Sequence, residues 1–120
     1  MAVDPTGESL KAFVDEAPDE SFVMLNLLRF VEGGEESYAR YSAAVTSTFL
    51  PRYGGRILYA GAGAAALVAE DGQQWDAVAL VAYPSRRAFG QMVADPEYQA
   101  VTHLRSQALA EAVLQPTTRF

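Results

Sequence analysis

The stretch Phe22-Val-Met-Leu-Asn-Leu-Leu-Arg-Phe30 constrains this chain more than any other. It is bounded by acidic residues on one side and by Gly33-Gly34 on the other, and its length and punctuation are those of a strand. Successive strand residues face opposite sides of a sheet. Here one parity carries Phe22, Met24, Leu28 and Phe30, while the other carries Val23, Leu25 and Leu27. A strand that is apolar on both parities needs cover on both faces. Helices of the same chain can cover one face, and a second copy of the sheet is the simplest cover for the other. The pattern predicts a homodimer.

The rest of the chain supplies the elements around that strand. From Glu35 to about Arg52, Tyr38, Tyr41, Val45 and Phe49 recur at helical spacing, and Pro51 with Gly54-Gly55 ends the helix. Ile57–Val68 and Trp75–Tyr83 read as two strands of a hairpin, joined through the turn Glu70-Asp-Gly-Gln73. Ser85 is placed to cap a short helix carrying Phe89, Met92 and Val93. Asp95-Pro96-Glu97 opens a further helix expected to run to about Ala112. Val113–Phe120 then reads as a fourth strand, which Pro116 confines to a sheet edge. Ahead of all this, Asp4-Pro5 reads as the cap and first position of a short helix to about Glu16. The expected organisation is a helical extension, 1–21, packed on one domain, 22–120. The order β-α-β-β-α-β predicts an α+β, ferredoxin-like domain: one antiparallel sheet with its helices on one face.

With 120 residues the chain can bury one real core. It has no cysteine, which excludes disulfides, thiolate metal sites and cysteine nucleophiles. A net charge of −6 argues against nucleic acid or acidic lipid as partners. No apolar run approaches the roughly 18 residues of a membrane span, and Met1–Lys11 lacks the features of a signal peptide, so a cytoplasmic location is expected. No metal or cofactor is expected either. The expected partners are a second copy of the chain and a small molecule.

Few residues carry chemistry. Gly61-Ala-Gly-Ala-Ala-Ala66 matches a dinucleotide-binding pattern, but a turn follows where that pattern requires a helix, so it reads as a strand of small residues beneath something bulky. His103, the only histidine, falls at about 200° on a helical wheel with Val101 at the origin, which points it to solvent. On the same wheel Arg105 lies at about 40°, inside the apolar stripe. A buried guanidinium needs a partner, so Arg105 is either half of a structural ion pair, with Asp76 a candidate, or a stem that snorkels outward, or a clamp for an anion or carbonyl in a pocket between helix and sheet. Asn26 interrupts the apolar strand and shares its parity with Phe22 and Met24 and, in a plausible register, with Trp75 and Tyr83. A buried amide among aromatics suits a small-molecule site, and a hydrogen bond to the main chain at a bulge is the competing explanation. Tyr38, Tyr41 and Tyr59 read as core and rim, and Arg29 with Asp76 as a cross-strand pair. No Ser/His/Asp order or phosphate loop is present, and no catalytic residue can be assigned.

Several of these segments resemble one family. Met24-Leu-Asn-Leu-Leu-Arg-Phe30, Gly54-Gly-Arg56, Trp75-Asp76, Tyr83-Pro-Ser-Arg-Arg-Ala-Phe89, Asp95-Pro-Glu-Tyr98 and Arg105 are similar to the domain-of-unknown-function family 1330, in the dimeric α/β-barrel superfamily. The resemblance spans about Phe22 to Leu114 and implies a ferredoxin-like protomer whose sheet pairs with a second copy to close a barrel. It implies little chemistry, because relatives in that superfamily range from cofactor-independent monooxygenases to isomerases and haem enzymes. The expectation is a homodimer that binds an apolar, aromatic or carbonyl-bearing metabolite in a pocket of each protomer, with Asn26, Trp75, Tyr83 and Arg105 as ligand contacts. Such a protein could act as a cofactor-independent monooxygenase or isomerase. The alternative is a non-enzymatic ligand-binding or structural dimer.

Overall fold

The computed structural model describes residues 1–16 and 18–120. Its centre is β1 (Phe22–Phe30), which pairs antiparallel with β3 (Ala77–Tyr83) on one side and β4 (Leu109–Thr117) on the other. β2 (Arg56–Ala62) pairs with β3, so the antiparallel sheet runs β2-β3-β1-β4. This is the expected α+β, ferredoxin-like sheet. Register sets Phe22 opposite Tyr83, Met24 opposite Val81, Asn26 opposite Ala79 and Leu28 opposite Ala77. That parity faces the helices, and Phe22, Met24 and Leu28 are only 3%, 4% and 2% exposed. The other parity, with Val23, Leu25 and Leu27 beside Val78 and Leu80, stays partly exposed in the single chain.

The helices cover the inner face. α2 (Glu35–Ala44) passes through a π-helical turn, Val45–Phe49, into the short α3 (Leu50–Tyr53). The wider turn suits the four-residue steps Tyr41, Val45 and Phe49, and it lets Phe49 and Leu50 both be buried. Gly54 ends the helix at φ 77°, a left-handed conformation that favours glycine. α4 (Arg86–Ala94) is capped as expected by Ser85, whose Oγ accepts from the Ala88 N–H at 3.0 Å. Phe22, Phe89 and Tyr83 pack there with Phe13 of α1 (Gly7–Asp15).

Several boundaries differ from the reading of the sequence. The first helix is capped by Thr6 in a reciprocal capping box with Ser9, not by Asp4, which has another partner. Ahead of that helix the Ala2 C=O accepts from the Ala112 N–H at 2.8 Å, tying the N-terminus to β4. β2 stops at Ala62 instead of Val68, and Trp75 precedes β3 instead of belonging to it. The helix opened by Asp95 is two short pieces, α5 (Pro96–Gln99) and α6 (Thr102–Ala108), and Leu109–Ala112 is strand. Leu-Ala-Glu-Ala has good helix propensity. Pairing with β1 overrides it, because as strand Leu109 and Ala112 bury against Leu28. Pro116 lies on the edge strand β4, as expected. No helix among the described residues is long and apolar enough to cross a membrane.

Two measurements check this packing. Leu28→Ala removes most of a fully buried side chain and is expected to lower unfolding free energy by about 2–5 kcal/mol in urea titration, whereas exposed His103→Ala shifts it by less than about 0.5 kcal/mol. The second concerns Asp95, the cap of α5. The Tyr53 hydroxyl at 2.7 Å, the Arg52 guanidinium at 2.8 Å and the Glu97 N–H at 2.9 Å hold its carboxyl down at about 2, against an ordinary 3.8. A depressed carboxyl stabilises the fold fully above its unfolded value and loses that contribution as pH falls through the folded one. Asp95→Asn keeps the cap but lacks the charge. Its melting temperature is expected to lie below wild type at pH 6, with the gap closing between about pH 4 and pH 2.

Candidate functional site

Between the inner sheet face and the helices lies a cavity of about 400 Å³. Its sheet wall is mostly apolar, with Met24, Leu28 and Val81, and Asn26 stands among them opposite the small Ala79 and beside Leu114. α2 contributes Tyr38 and Tyr41, the end of β3 contributes Tyr83, α5 contributes Tyr98 and α6 contributes Arg105. Asp4 and Pro5 complete the wall from the N-terminal segment. A volume of this size, apolar with a few polar groups, fits a small organic ligand.

Arg105 is 6% exposed. Its Nη1 donates to the Val3 carbonyl and to Asp4 Oδ1, both at 2.7 Å, and Asp4 Oδ2 accepts from the Ser106 hydroxyl at 2.9 Å. The ion-pair partner is Asp4, not Asp76. Asp76 instead accepts from the Phe30 N–H at 2.9 Å where β1 ends. The second guanidinium nitrogen, Nη2, is buried with no hydrogen-bond partner. A buried charged donor left open costs free energy and marks a place where a further acceptor would be favourable.

The tyrosines form the polar part of the opposite wall. The Tyr41 and Tyr98 hydroxyls share a buried hydrogen bond of 2.6 Å. Burial raises the pKa of Tyr38, Tyr41, Tyr83 and Tyr98, Tyr41 well above the usual phenol range, while the positive charge of Arg105 opposes the rise at Tyr38, Tyr41 and Tyr98. These phenols stay protonated at neutral pH. They can donate or accept hydrogen bonds to a ligand but do not act as phenolate bases. The Asn26 Nδ2 donates to the Met24 carbonyl at 3.1 Å and to the Ala79 carbonyl at 3.5 Å, the main-chain bond weighed as the alternative. With its NH₂ so engaged, the side-chain oxygen is the end of Asn26 left to accept from a ligand.

Of the four residues expected to meet a ligand, the cavity brings together Asn26, Tyr83 and Arg105. Trp75 does not line it. Because the indole precedes β3, it escapes the inner parity assigned to it, and Arg29 stacks over it with Cζ 4.5 Å from the ring centroid. Arg29 does not pair with Asp76 either; it bridges to Glu111 at 2.9 Å and to the carbonyls of Gly72 and Gln74. His103 is exposed, as the wheel indicated. No helix follows Gly61–Ala66, and Tyr59 folds its hydroxyl over Gly61 where a Cβ would collide with it. Among the described residues no three histidines or carboxylates cluster closely enough to hold a metal ion. Asp4, which reads locally as a helix cap, and the joining of Tyr41 to Tyr98 are not evident from the sequence. The inward place of Tyr98 on the wheel was the available signal.

Fold and cavity define a ferredoxin-like α+β protein with a tyrosine-rich pocket between sheet and helices. The profile of the domain of unknown function DUF1330 matches residues 31–115, and the chain belongs to that family. A crystal structure of a protein of unknown function from Rhodopseudomonas palustris is similar over 98% of this chain and 96% of its own, with 28% identity and a TM-score of 0.88. A protein from Bacteroides thetaiotaomicron described as a candidate antibiotic biosynthesis monooxygenase shares the fold, with 18% identity, 84% and 90% coverage and a TM-score of 0.61. An uncharacterised NIPSNAP-like domain protein from Burkholderia xenovorans does so with 15% identity, 86% and 88% coverage and a TM-score of 0.57. None of the curated proteins matches the chain.

The Arg105–Asp4 geometry predicts an asymmetry. The Asp4 side chain is 50% exposed and can rehydrate, so Arg105→Met, which removes a buried charge and keeps most of the stem, is expected to change stability by no more than about 1 kcal/mol. Asp4→Ala leaves the buried guanidinium with one carbonyl only and is expected to cost about 1–3 kcal/mol. Chemical denaturation of the two variants side by side checks the order.

Proposed function

We propose that this protein binds an apolar, aromatic or carbonyl-bearing metabolite in the cavity of each protomer of a homodimer, with a ligand oxygen accepting from Arg105. The observation that carries the reading is the buried, unpartnered Arg105 Nη2 in the wall of a largely apolar cavity. Asn26 and Tyr83 complete the polar contacts, the phenol walls stack on the ligand, and Trp75 is not among the contacts. The apolar outer face supports the dimer, since an isolated protomer would leave Val23, Leu25, Leu27, Val78 and Leu80 partly in water.

The site suits oxygenation without a cofactor, and a monooxygenase is what one structural neighbour is named for. Arg105 and neutral phenols favour the enolate of an acidic CH₂ substrate, and that carbanion reduces dioxygen: the CH₂ becomes C=O, and the second oxygen atom leaves as water with the two hydrogens. Isomerisation through the same enolate uses the same groups. Non-enzymatic binding of the same ligands is the competing reading, because Asp4, the cavity's carboxylate, is committed to Arg105 and Ser106.

Light scattering on eluting protein is expected to give about twice 13.0 kDa. Hydroxylated naphthoquinones and enol lactones, screened by thermal shift and calorimetry, are expected to include binders, and Arg105→Met should weaken those by about 1.5–3 kcal/mol, roughly 10- to 150-fold. Oxygen uptake with enolisable binders supports the enzyme. Binding without uptake or isomerisation assigns a carrier, and absence of any Arg105-dependent binding removes the proposal.

A further inference from the structure

The segment between β2 and β3 is built for contact with another surface. It is anchored at its base by specific bonds: the Gly63 N–H donates to the Asp76 carbonyl at 2.8 Å, and Gln74 grips Ala64 through its NH₂ and Ala66 through its oxygen at 2.8 and 2.9 Å. Gly63 sits so close to the Trp75 carbonyl that a Cβ would collide with it, and Arg29 holds the returning strand by the carbonyls of Gly72 and Gln74. The arm so fixed carries Leu67 and Val68, 101% and 95% exposed, followed after Ala69 by Glu70 and Asp71. Two adjacent branched apolar side chains in full contact with water gain by burial against a partner.

A complementary surface lies at the other end of the same hairpin. On the outer face of the sheet, a groove of about 550 Å³ has Val23, Leu58, Ala82 and Pro84 as its apolar wall and Arg56 and Arg119 as flanking cations, with Glu20 at its rim. Among the described residues neither arginine is ion-paired, and neither is Glu70 or Asp71. Apolar tip meets apolar groove, and two acids meet two arginines. Within one chain the arm cannot reach this groove, because the seven residues of β2 separate them by roughly 20 Å. A two-fold axis lying across the strands exchanges the ends of two facing sheets and lays each arm over the other copy's groove.

We infer that the Leu67–Asp71 arm of each protomer docks in the Arg56–Leu58–Arg119 groove of a second copy of this chain, clasping the homodimer at both ends. The inference rests on the dimer proposed above and adds where its specificity resides. It commits the outer face to the chain itself, through contacts that an unrelated apolar protein would not satisfy.

The absence of cysteine makes the test free of background. Val68→Cys and Leu58→Cys are made in separate chains, distinguished by mass, mixed and oxidised. The expected product is the 58–68 heterodimer, with few 68–68 or 58–58 species. Because both positions are exposed, the variants are expected to fold. A second arm uses charge: Glu70→Arg with Asp71→Arg, or Arg56→Glu with Arg119→Glu, is expected to weaken dimerisation at least tenfold in sedimentation, and mixing the two variants is expected to restore both arm–groove contacts in the heterodimer and recover affinity. If light scattering shows a dimer but the thiol introduced by Val68→Cys reacts freely with maleimide and no 58–68 bond forms, the clasp is overturned and the dimer stands. If the wild-type chain is a monomer, both fall.

Discussion

Pairing of β1 on both of its edges is the constraint from which the remaining structure follows. It is the only strand with two neighbours besides β3, and its inner side chains Phe22, Met24 and Leu28 are nearly inaccessible. β3 brings Val81 and Tyr83 to the same face, and β4 brings Ala112 and Leu114. α2, α4 and α6 can then only pack on that face, since it is where their own apolar stripes find cover. The demand for a strand beside β1 is strong enough to turn a helix-prone Leu-Ala-Glu-Ala segment into β4.

A consequence of that packing is the space beneath the helices. Tyrosines fill much of it, but Ala77 and Ala79 on β3 are too small to meet them, and the gap opposite Asn26 is the cavity. The large side chains that would normally close such a gap are rigid aromatics held edge-on to one another, as with Tyr41 and Tyr98 or Phe49 and Tyr98. They cannot collapse into it without breaking the Tyr41–Tyr98 hydrogen bond. The cavity is thus maintained by the same contacts that stabilise the helical layer.

Arg105 connects this cavity to the N-terminus. One guanidinium nitrogen holds Val3 and Asp4, and through them positions Pro5 in the cavity wall. The other is left without a partner. A lysine could not divide its charge in this way, because its single ammonium lacks a second, separately directed nitrogen. The side chain acts at once as a structural tie and as the donor on which the proposed function depends.

Much of the fold was legible in residues alone. The two-sided apolar pattern of Phe22–Phe30, the caps Ser85 and Asp95 and the edge proline Pro116 all act over short ranges of chain, and each appears in the structure where local chemistry placed it. The inward stripe of α5 and α6 was equally readable, so Arg105 and Tyr98 were expected inside and His103 outside. What residues alone did not settle were matters of long-range pairing. Whether Leu109–Ala112 continued a helix or began a strand depended on an open edge of β1 some eighty residues earlier. The partner of Arg105 was Asp4, a hundred residues away and disguised as a helix cap, and Trp75 lost its place in the site because β3 starts two residues after it. Local propensity and periodicity decide which segments are helix or strand and which side is apolar. Only tertiary packing decides which charges meet, since a buried guanidinium takes whichever carboxylate the folded chain brings within reach.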